Sequence, residues 1–295
     1  MKLFEAGFTM EQRGARKDVL AFYQGLPFNY RTDPSSHAEV IRRADPLQSY
    51  PPLVTLLRTR PRLLDVGCGA GWLVNSAAYH HGCPAHGIDF NPIAIERARD
   101  VARALGVHVQ FEVADLFECR PARRFSLVTS IGVLHHTDDC LGGLAHIAAS
   151  IVDTDGRMFI GLYHAFARRP FLSHFARLKS QGADVEELYA EFCRLRGGGD
   201  PPQDETYARS WFRDQVLHPH ETQHTLKEIL PLLDDLGFEL ESTSINRFGP
   251  MVERSRLFAE EELLEEAART ALEQGRYLPG FFVFMARRRS QNVHL

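Results

Sequence analysis

The sequence predicts an α/β protein built on a parallel, doubly wound sheet, and three observations carry that prediction. Between about residues 62 and 163, short apolar runs alternate with stretches of helical spacing, the pattern of strands joined by helical crossovers. The first run, Leu63–Val66, ends in a glycine-rich turn that leads directly into a helix-like segment. The 295 residues are 44% hydrophobic and 24% charged, an ordinary globular composition that excludes a disordered chain, a coiled coil and a collagen-like repeat.

The elements follow in order. After the first strand, Gly71–His80 has helical spacing. Ala85–Phe90 reads as the second strand and Pro92–Leu105 as a helix, with proline in the first turn, where its missing N–H does no harm. Val107–Val113 is β-rich, Ser126–Val133 reads as the fourth strand, Cys140–Val152 as a helix and Arg157–Tyr163 as the fifth strand. The flanks differ. Residues 1–60 hold helical patches broken by Pro27, Pro34, Pro46, Pro51 and Pro52, and read as a helical N-terminal cap. Residues 61–295 form the main domain, with an irregular insertion at about 164–220 that contains a glycine run, Gly197–Gly199, followed by Asp200-Pro201-Pro202. Regular structure resumes at Thr222–Leu236, with Gly237 as a helix C-cap. Phe238–Ile245 reads as a sixth strand, Glu260–Leu272 as a helix and Gly280–Arg287 as a closing strand.

Charge and cysteine usage narrow the function class. Lys plus Arg is 34 against 38 Asp plus Glu, a net charge of -4, which argues against a nucleic-acid partner. No run approaches the roughly 18 apolar residues of a membrane span. Glu5 interrupts what would be the apolar core of a signal peptide. The five cysteines form no CxxC pair, and an odd number without close spacing fits reduced thiols, so a cytoplasmic location is expected.

The strongest chemical signal is LLDVGCGAGW, residues 63–72. An apolar strand runs into Asp65, then Gly67, Gly69 and Gly71, then a helix. Glycines permit a tight turn and close approach of a ligand to the backbone, and the following helix presents free N–H groups. A dinucleotide fingerprint would need glycine at position 72, where this chain has Trp72. Asp89 ends the second strand, 18 residues after Gly71, where a carboxylate can accept from both hydroxyls of a ribose. Asp115, in VADLFE, follows the third strand.

The D-x-G-x-G-x-G turn, with Asp89, Asp115 and the segment TSIGVLHHTDD after the fourth strand, resembles the class I S-adenosylmethionine-dependent methyltransferases. The resemblance is close over residues 60–163 and extends by strand order to 222–287. It implies a Rossmann-like sheet of seven strands with the last antiparallel, and S-adenosyl-L-methionine as cofactor. It also implies that Asp65 and the Gly67, Gly69 and Gly71 backbone hold the methionine part. Asp89 would bind the ribose, Phe90 pack on the adenine, and Asp115 and Leu116 read its edge. The backbone at Ile131 and Gly132 would lie near the sulfonium.

Methyl transfer is an in-line displacement that relies on orientation and, for a protonated acceptor, on a base; histidine suits that best. Of 14 histidines, His135 and His136 follow the fourth strand, His164 the fifth, and His218, His220 and His224 lie near the next helix. Strand C-termini are where open α/β sheets bind ligands, so His135, His164 and His220 are the expected base or orienting groups. Tyr163, His218, Glu221 and His224 are expected beside the acceptor. Tyr23, Phe28 and Tyr30, in the aromatic segment AFYQGLPFNY, are expected in a lid over the cofactor. Arg168, Arg169, Arg177 and Lys179 form a run without acidic neighbours, and Arg168 with Arg213 of SWFRDQVLHPH is expected to face the acceptor.

Residues 220–224 spell HETQH, a literal zinc-protease motif. Pro219 places His220 at the very start of a helix rather than in its interior, and no third ligand is evident, so no metal is expected. The reading is therefore a methyltransferase acting on a small molecule. The alternatives are a tRNA acceptor, supported by the basic run and the tail at Arg287–Arg289, a cofactor-binding subunit, and non-methyl chemistry.

Overall fold

The computed structural model describes residues 16–197 and 204–290. The first 15 residues of the cap and positions 198–203, which include most of the glycine run and its Asp-Pro-Pro, lie outside the described residues.

Seven strands form one sheet: β1 (Leu63–Val66), β2 (Ala85–Asp89), β3 (Val109–Val113), β4 (Phe125–Ile131), β5 (Val152–Tyr163), β6 (Phe238–Thr243) and β7 (Phe281–Arg288), in the order β3-β2-β1-β4-β5-β7-β6. The first five are parallel and β7 runs antiparallel to both β5 and β6. The order reverses between β1 and β4, so the C-terminal ends of these strands open a crevice at the switch point.

The helices are α1 (Lys17–Gly25), α2 (Pro34–Arg43), α3 (Pro51–Leu57), α4 (Trp72–His81), α5 (Pro92–Leu105), α6 (Cys140–His146), α7 (Ala165–Ser180), α8 (Val185–Leu195), α9 (Glu205–Phe212), α10 (Leu226–Asp235), α11 (Arg254–Glu262) and α12 (Leu264–Glu273). Their ends follow local chemistry. Asn91 accepts from the Ile93 N–H at 3.0 Å ahead of Pro92, and Gly106 closes α5 in the left-handed region, so α5 has the predicted bounds. Two cores flank the sheet. One joins β1 and β4 to Leu144, Ile147, Leu230 and Leu233; the other joins Leu63, Leu127 and Phe159 to Leu73 and Val74 of α4 and to Leu53 and Leu57 of α3. Thus α3, read from the sequence as part of the cap, sits in the main core.

Four sequence expectations need correction. The segment 164–220 is not irregular: α7, α8, α9 and a π-helical turn at Arg213–Leu217 build a helical subdomain with its own core around Phe171, Phe175, Phe192 and Phe212. The fifth strand begins at Val152, and a π-helical turn, Ile147–Ile151, replaces the end of the preceding helix. The helix expected from Thr222 begins at Leu226, capped by Thr225 accepting from the Glu228 N–H at 3.1 Å. Two helices, α11 and α12, stand where one was expected.

Candidate active site

The crevice is a cleft open to solvent at its mouth. Its floor is the turn after β1. The Gly67 and Cys68 N–H groups both donate to the Ile88 carbonyl, at 2.8 and 2.9 Å, which pins the turn to the end of β2. The glycines divide the labour. At Gly71 (φ +82°) a Cβ would lie 2.6 Å from Asn75 Nδ2 and 3.0 Å from Ala98 Cβ, so this residue permits contact between α4 and α5. At Gly69 (φ +52°) a Cβ would meet nothing within 4 Å, because the residue faces the cleft.

Asp89 Oδ2 accepts from the Gly69 N–H and Oδ1 from the Asn91 N–H, each at 2.8 Å. Each carboxylate oxygen keeps capacity for a further donor. Burial pushes this carboxyl up to about 6, against the pull of those two backbone bonds. Phe90, Leu116 and Phe117 add apolar walls, and Asp115 Oδ1 accepts from the Phe117 N–H at 2.9 Å. Across the cleft lie Ile131 and Gly132 at the end of β4. The residues fit an S-adenosyl ligand: a carboxylate for vicinal hydroxyls, a turn backbone without side chains, and apolar faces for a purine.

Asp65 stands below this floor rather than in its lining. Its Oδ1 accepts from the Thr129 hydroxyl at 2.7 Å, and burial pushes its carboxyl up to about 7, with the Asp89 charge adding to the effect. Its placement suits support of the turn.

The cleft is roofed by α1 and the segment after it. Val19, Tyr23 and Phe28 line it, and Phe28 packs on Trp211 with ring centroids 4.8 Å apart. Tyr30 lies outside, under the Arg97 guanidinium at 4.3 Å. Arg213 donates to the Phe22 carbonyl at 3.0 Å and sits over the Phe22 ring.

The histidines sort by their partners. His135 is fully buried: its Nδ1 accepts from the Tyr163 N–H at 3.3 Å and it does not line the cleft. His164 caps α7, with Nδ1 accepting from the Phe166 and Ala167 N–H groups and Nε2 donating to Glu261 at 2.9 Å, away from the cleft. His220 Nε2 donates to the Thr137 carbonyl at 3.1 Å. His224 bonds Glu228 and Thr222, and pairs with His164 in a parallel β-bridge. HETQH is therefore not on a helix, and Glu221 serves Arg168 through two bonds of 3.1 and 2.8 Å. No His, Cys, Asp and Glu cluster able to hold a metal occurs among the described residues.

The imidazole that does reach the cleft is His136, which the sequence reading passed over. Its Nδ1 faces the His220 carbonyl at 2.9 Å and therefore carries the proton, leaving Nε2 as an acceptor. Nε2 lies 4.0 Å from Asp214 Oδ1, and His218 stacks on the ring at 3.7 Å between centroids. Burial pushes both His136 and His218 down to about 3, so both are neutral. Asp214, which the sequence suits to a partly buried wall, and Gln215 come from the π-helical turn; Asp214 Oδ1 accepts from Tyr23 Oη at 2.6 Å and Oδ2 from Tyr163 Oη at 3.3 Å.

Two cations of the basic run are ion-paired and two are not. Arg168 is fully buried against Glu221 and Gln215, Arg169 pairs with Glu265 at 2.6 Å, Arg177 donates to His174, and Lys179 donates to the Val216 carbonyl. In the tail, Arg287 pairs with Glu239 and Glu241, and Arg289 with Asp234.

Residues 39–243 match the family model described as a methyltransferase domain. The ubiquinone biosynthesis O-methyltransferase of Salmonella paratyphi A is 30% identical over 100 residues, covering 33% of this chain and 40% of that protein. Its counterpart in Ralstonia nicotianae is 30% identical over 147 residues, 48% of this chain and 59% of that protein. The chain thus spans only about half the length of these curated relatives. In fold it is similar to PKMT2 of Rickettsia typhi, with a TM-score of 0.58 at 14% identity, over 83% of this chain and 53% of that one. With the family match covering well over half of the sequence and the seven-stranded sheet in place, the chain belongs to the class I S-adenosylmethionine-dependent methyltransferases.

Proposed function

We propose that this protein transfers the methyl group of S-adenosylmethionine to a hydroxyl of a small molecule held between α1 and the ends of β4 and β5. The observation that carries the small-molecule reading is the roof: α1 narrows the approach to the cleft, and the arginines around it are committed to internal partners. Arg16, at the mouth, pairs with Asp18 and Asp138 at 2.7 and 2.6 Å. A polyanion such as tRNA would need free cations there, and Arg168 and Arg169 of the basic run are spent on Glu221 and Glu265. Oxygen as acceptor atom is supported by the O-methyltransferases among the relatives.

In this reading Asp89 holds the ribose, the Gly69 turn backs the methionine part, and Phe90 with Leu116 encloses the adenine. The cofactor supplies an electrophilic methyl on a cationic sulfur. The protein's contribution is positional: Ile131 and Gly132 border the reacting region, Tyr23 and Phe28 cover it from above, and His136 Nε2 accepts the hydrogen bond that orients the incoming hydroxyl. Burial disfavours a protonated imidazole here, so the hydroxyl gives its proton to bulk water, which favours an acidic, phenol-like acceptor over an aliphatic one.

The test incubates the purified chain with methyl-labelled cofactor and either a low-mass cell extract or bulk tRNA. Label in the low-mass fraction, alkali-stable as expected for an ether, is the expected result. Label confined to tRNA overturns the proposal. No transfer to either, with S-adenosylhomocysteine still bound, points instead to the cofactor-binding subunit.

A further inference from the structure

The way α1 is fastened has a consequence for catalysis. Of its residues Val19 is the buried apolar anchor, and the half-buried Phe22 and Tyr23 rings pack on His218 with centroids 5.0 and 5.3 Å away. Polar contacts do the rest: Arg16 to Asp138 on the surface, Asn91 Nδ2 to the Tyr23 carbonyl at 3.1 Å, Arg213 to the Phe22 carbonyl at 3.0 Å, and the Tyr23 hydroxyl to Asp214 at 2.6 Å. The first is exposed and weak. The last ends on a carboxylate that is 5% exposed, where a charge-assisted bond is strongest and a missing donor costs most.

Asp214 is itself anchored at two places. Its Oδ2 accepts from Tyr163 Oη, at the end of β5, and from Gln215 Nε2 at 2.7 Å. Gln215 Oε1 in turn accepts from Arg168 at 3.0 Å and from the Tyr277 hydroxyl. Two consecutive side chains of the π-helical turn thus hold α1, Arg213 at the Phe22 carbonyl and Asp214 at the Tyr23 hydroxyl, while Gln215 faces the subdomain interior. Such turns recur at functional sites. Opening α1 withdraws the donor from Oδ1 and leaves the buried carboxylate short of a partner, while the rest of the network stays in place.

We infer that Asp214 is the positioning residue that shuts α1 over the bound S-adenosyl ligand, with the Tyr23 hydroxyl as its latch. This rests on the cofactor reading of the cleft. With the Tyr23–Asp214 bond made, α1 roofs the cleft and obstructs entry as well as exit. Breaking it therefore raises the association and dissociation rate constants together. A cleft that has merely been damaged loses ligand faster without gaining it faster.

The experiment is stopped-flow binding of S-adenosylhomocysteine to the full chain, read by tryptophan fluorescence; Trp72 lines the cleft and Trp211 touches Phe28. Tyr23→Phe and Asp214→Asn are each expected to raise both rate constants about tenfold or more, with Kd changed less than fivefold. The double variant is expected to be no faster than Asp214→Asn, since both remove one contact, and Asp214→Glu to recover part of the slow exchange. Unchanged rate constants, or faster dissociation with unchanged association, overturn the inference; Tyr23→Phe, which removes a single oxygen, decides the matter if Asp214→Asn fails to fold. Absence of binding to the unmutated chain overturns the cofactor reading itself, a separate result.

Discussion

Asp89 offers a direct test of the cofactor site through pH. Its carboxylate is held by two backbone N–H groups and lies 8% exposed, and burial raises it to about 6. A raised carboxyl is ionised only above that value, so ribose hydroxyls meet a full acceptor above pH 6 and a half-blocked one below it. The ionised fraction falls from about 99% at pH 8 to roughly 10% at pH 5. If only that form binds fully, S-adenosylhomocysteine affinity drops about tenfold over this range, ~1.4 kcal/mol. Asp89→Asn, whose amide offers one acceptor and opposes an N–H with a second donor, is expected to bind about 1–3 kcal/mol more weakly at pH 8 and to show no such slope. Calorimetry of both chains at pH 5, 6, 7 and 8 checks this. Parallel pH dependence in the two chains refutes the assignment of the carboxylate to the ribose.

Two other outcomes separate structural from functional residues. Gly71→Ala and Gly69→Ala place the same methyl in the same left-handed backbone region, each costing about 1–2 kcal/mol of strain. At Gly71 the methyl also collides with Asn75 and Ala98, so urea midpoints should show a further loss of about 1–3 kcal/mol, whereas Gly69→Ala should chiefly weaken S-adenosylhomocysteine binding. His164→Ala is expected to lower stability by about 1–3 kcal/mol, because it strips the α7 cap and leaves buried Glu261 short of a donor, while cofactor affinity stays within twofold; a loss of affinity at full stability would return His164 to the site.

The floor of the cleft was legible because its chemistry is local. A strand, a glycine turn and an aspartate at the end of the next strand are fixed by short spacings, and Asp89, Asp115 and the glycine turn fall where those spacings put them. Helix α8 was legible too, and was missed: Asp184 and Glu187 form a reciprocal capping box, each side chain accepting from the other's N–H at 2.9 and 2.8 Å. That signature stands in the sequence as Asp-x-x-Glu ahead of an apolar face. The π-helical turn at 213–217 had no comparable signal, and with it went Gln215 and the role of Asp214.

The rest of the cleft resisted for a different reason. Which of two adjacent histidines faces the cleft is decided by partners far away in the chain: the Tyr163 N–H turns His135 inward, and the carbonyl of His220, 84 positions on, holds His136 at the rim. The same holds for charge. Counted along the sequence, Arg168 to Lys179 is a basic patch. Counted in space, Arg168 meets Glu221 and Arg169 meets Glu265, 53 and 96 positions away. A guanidinium as buried as that of Arg168 must find an acid or carbonyls to fill its donors, so burial itself guarantees that the local excess is cancelled. A run of cations therefore argues for a polyanionic partner only where it stays on the surface unpaired, and half of this one does not: Arg168 is buried on Glu221 and Arg169 is paired with Glu265.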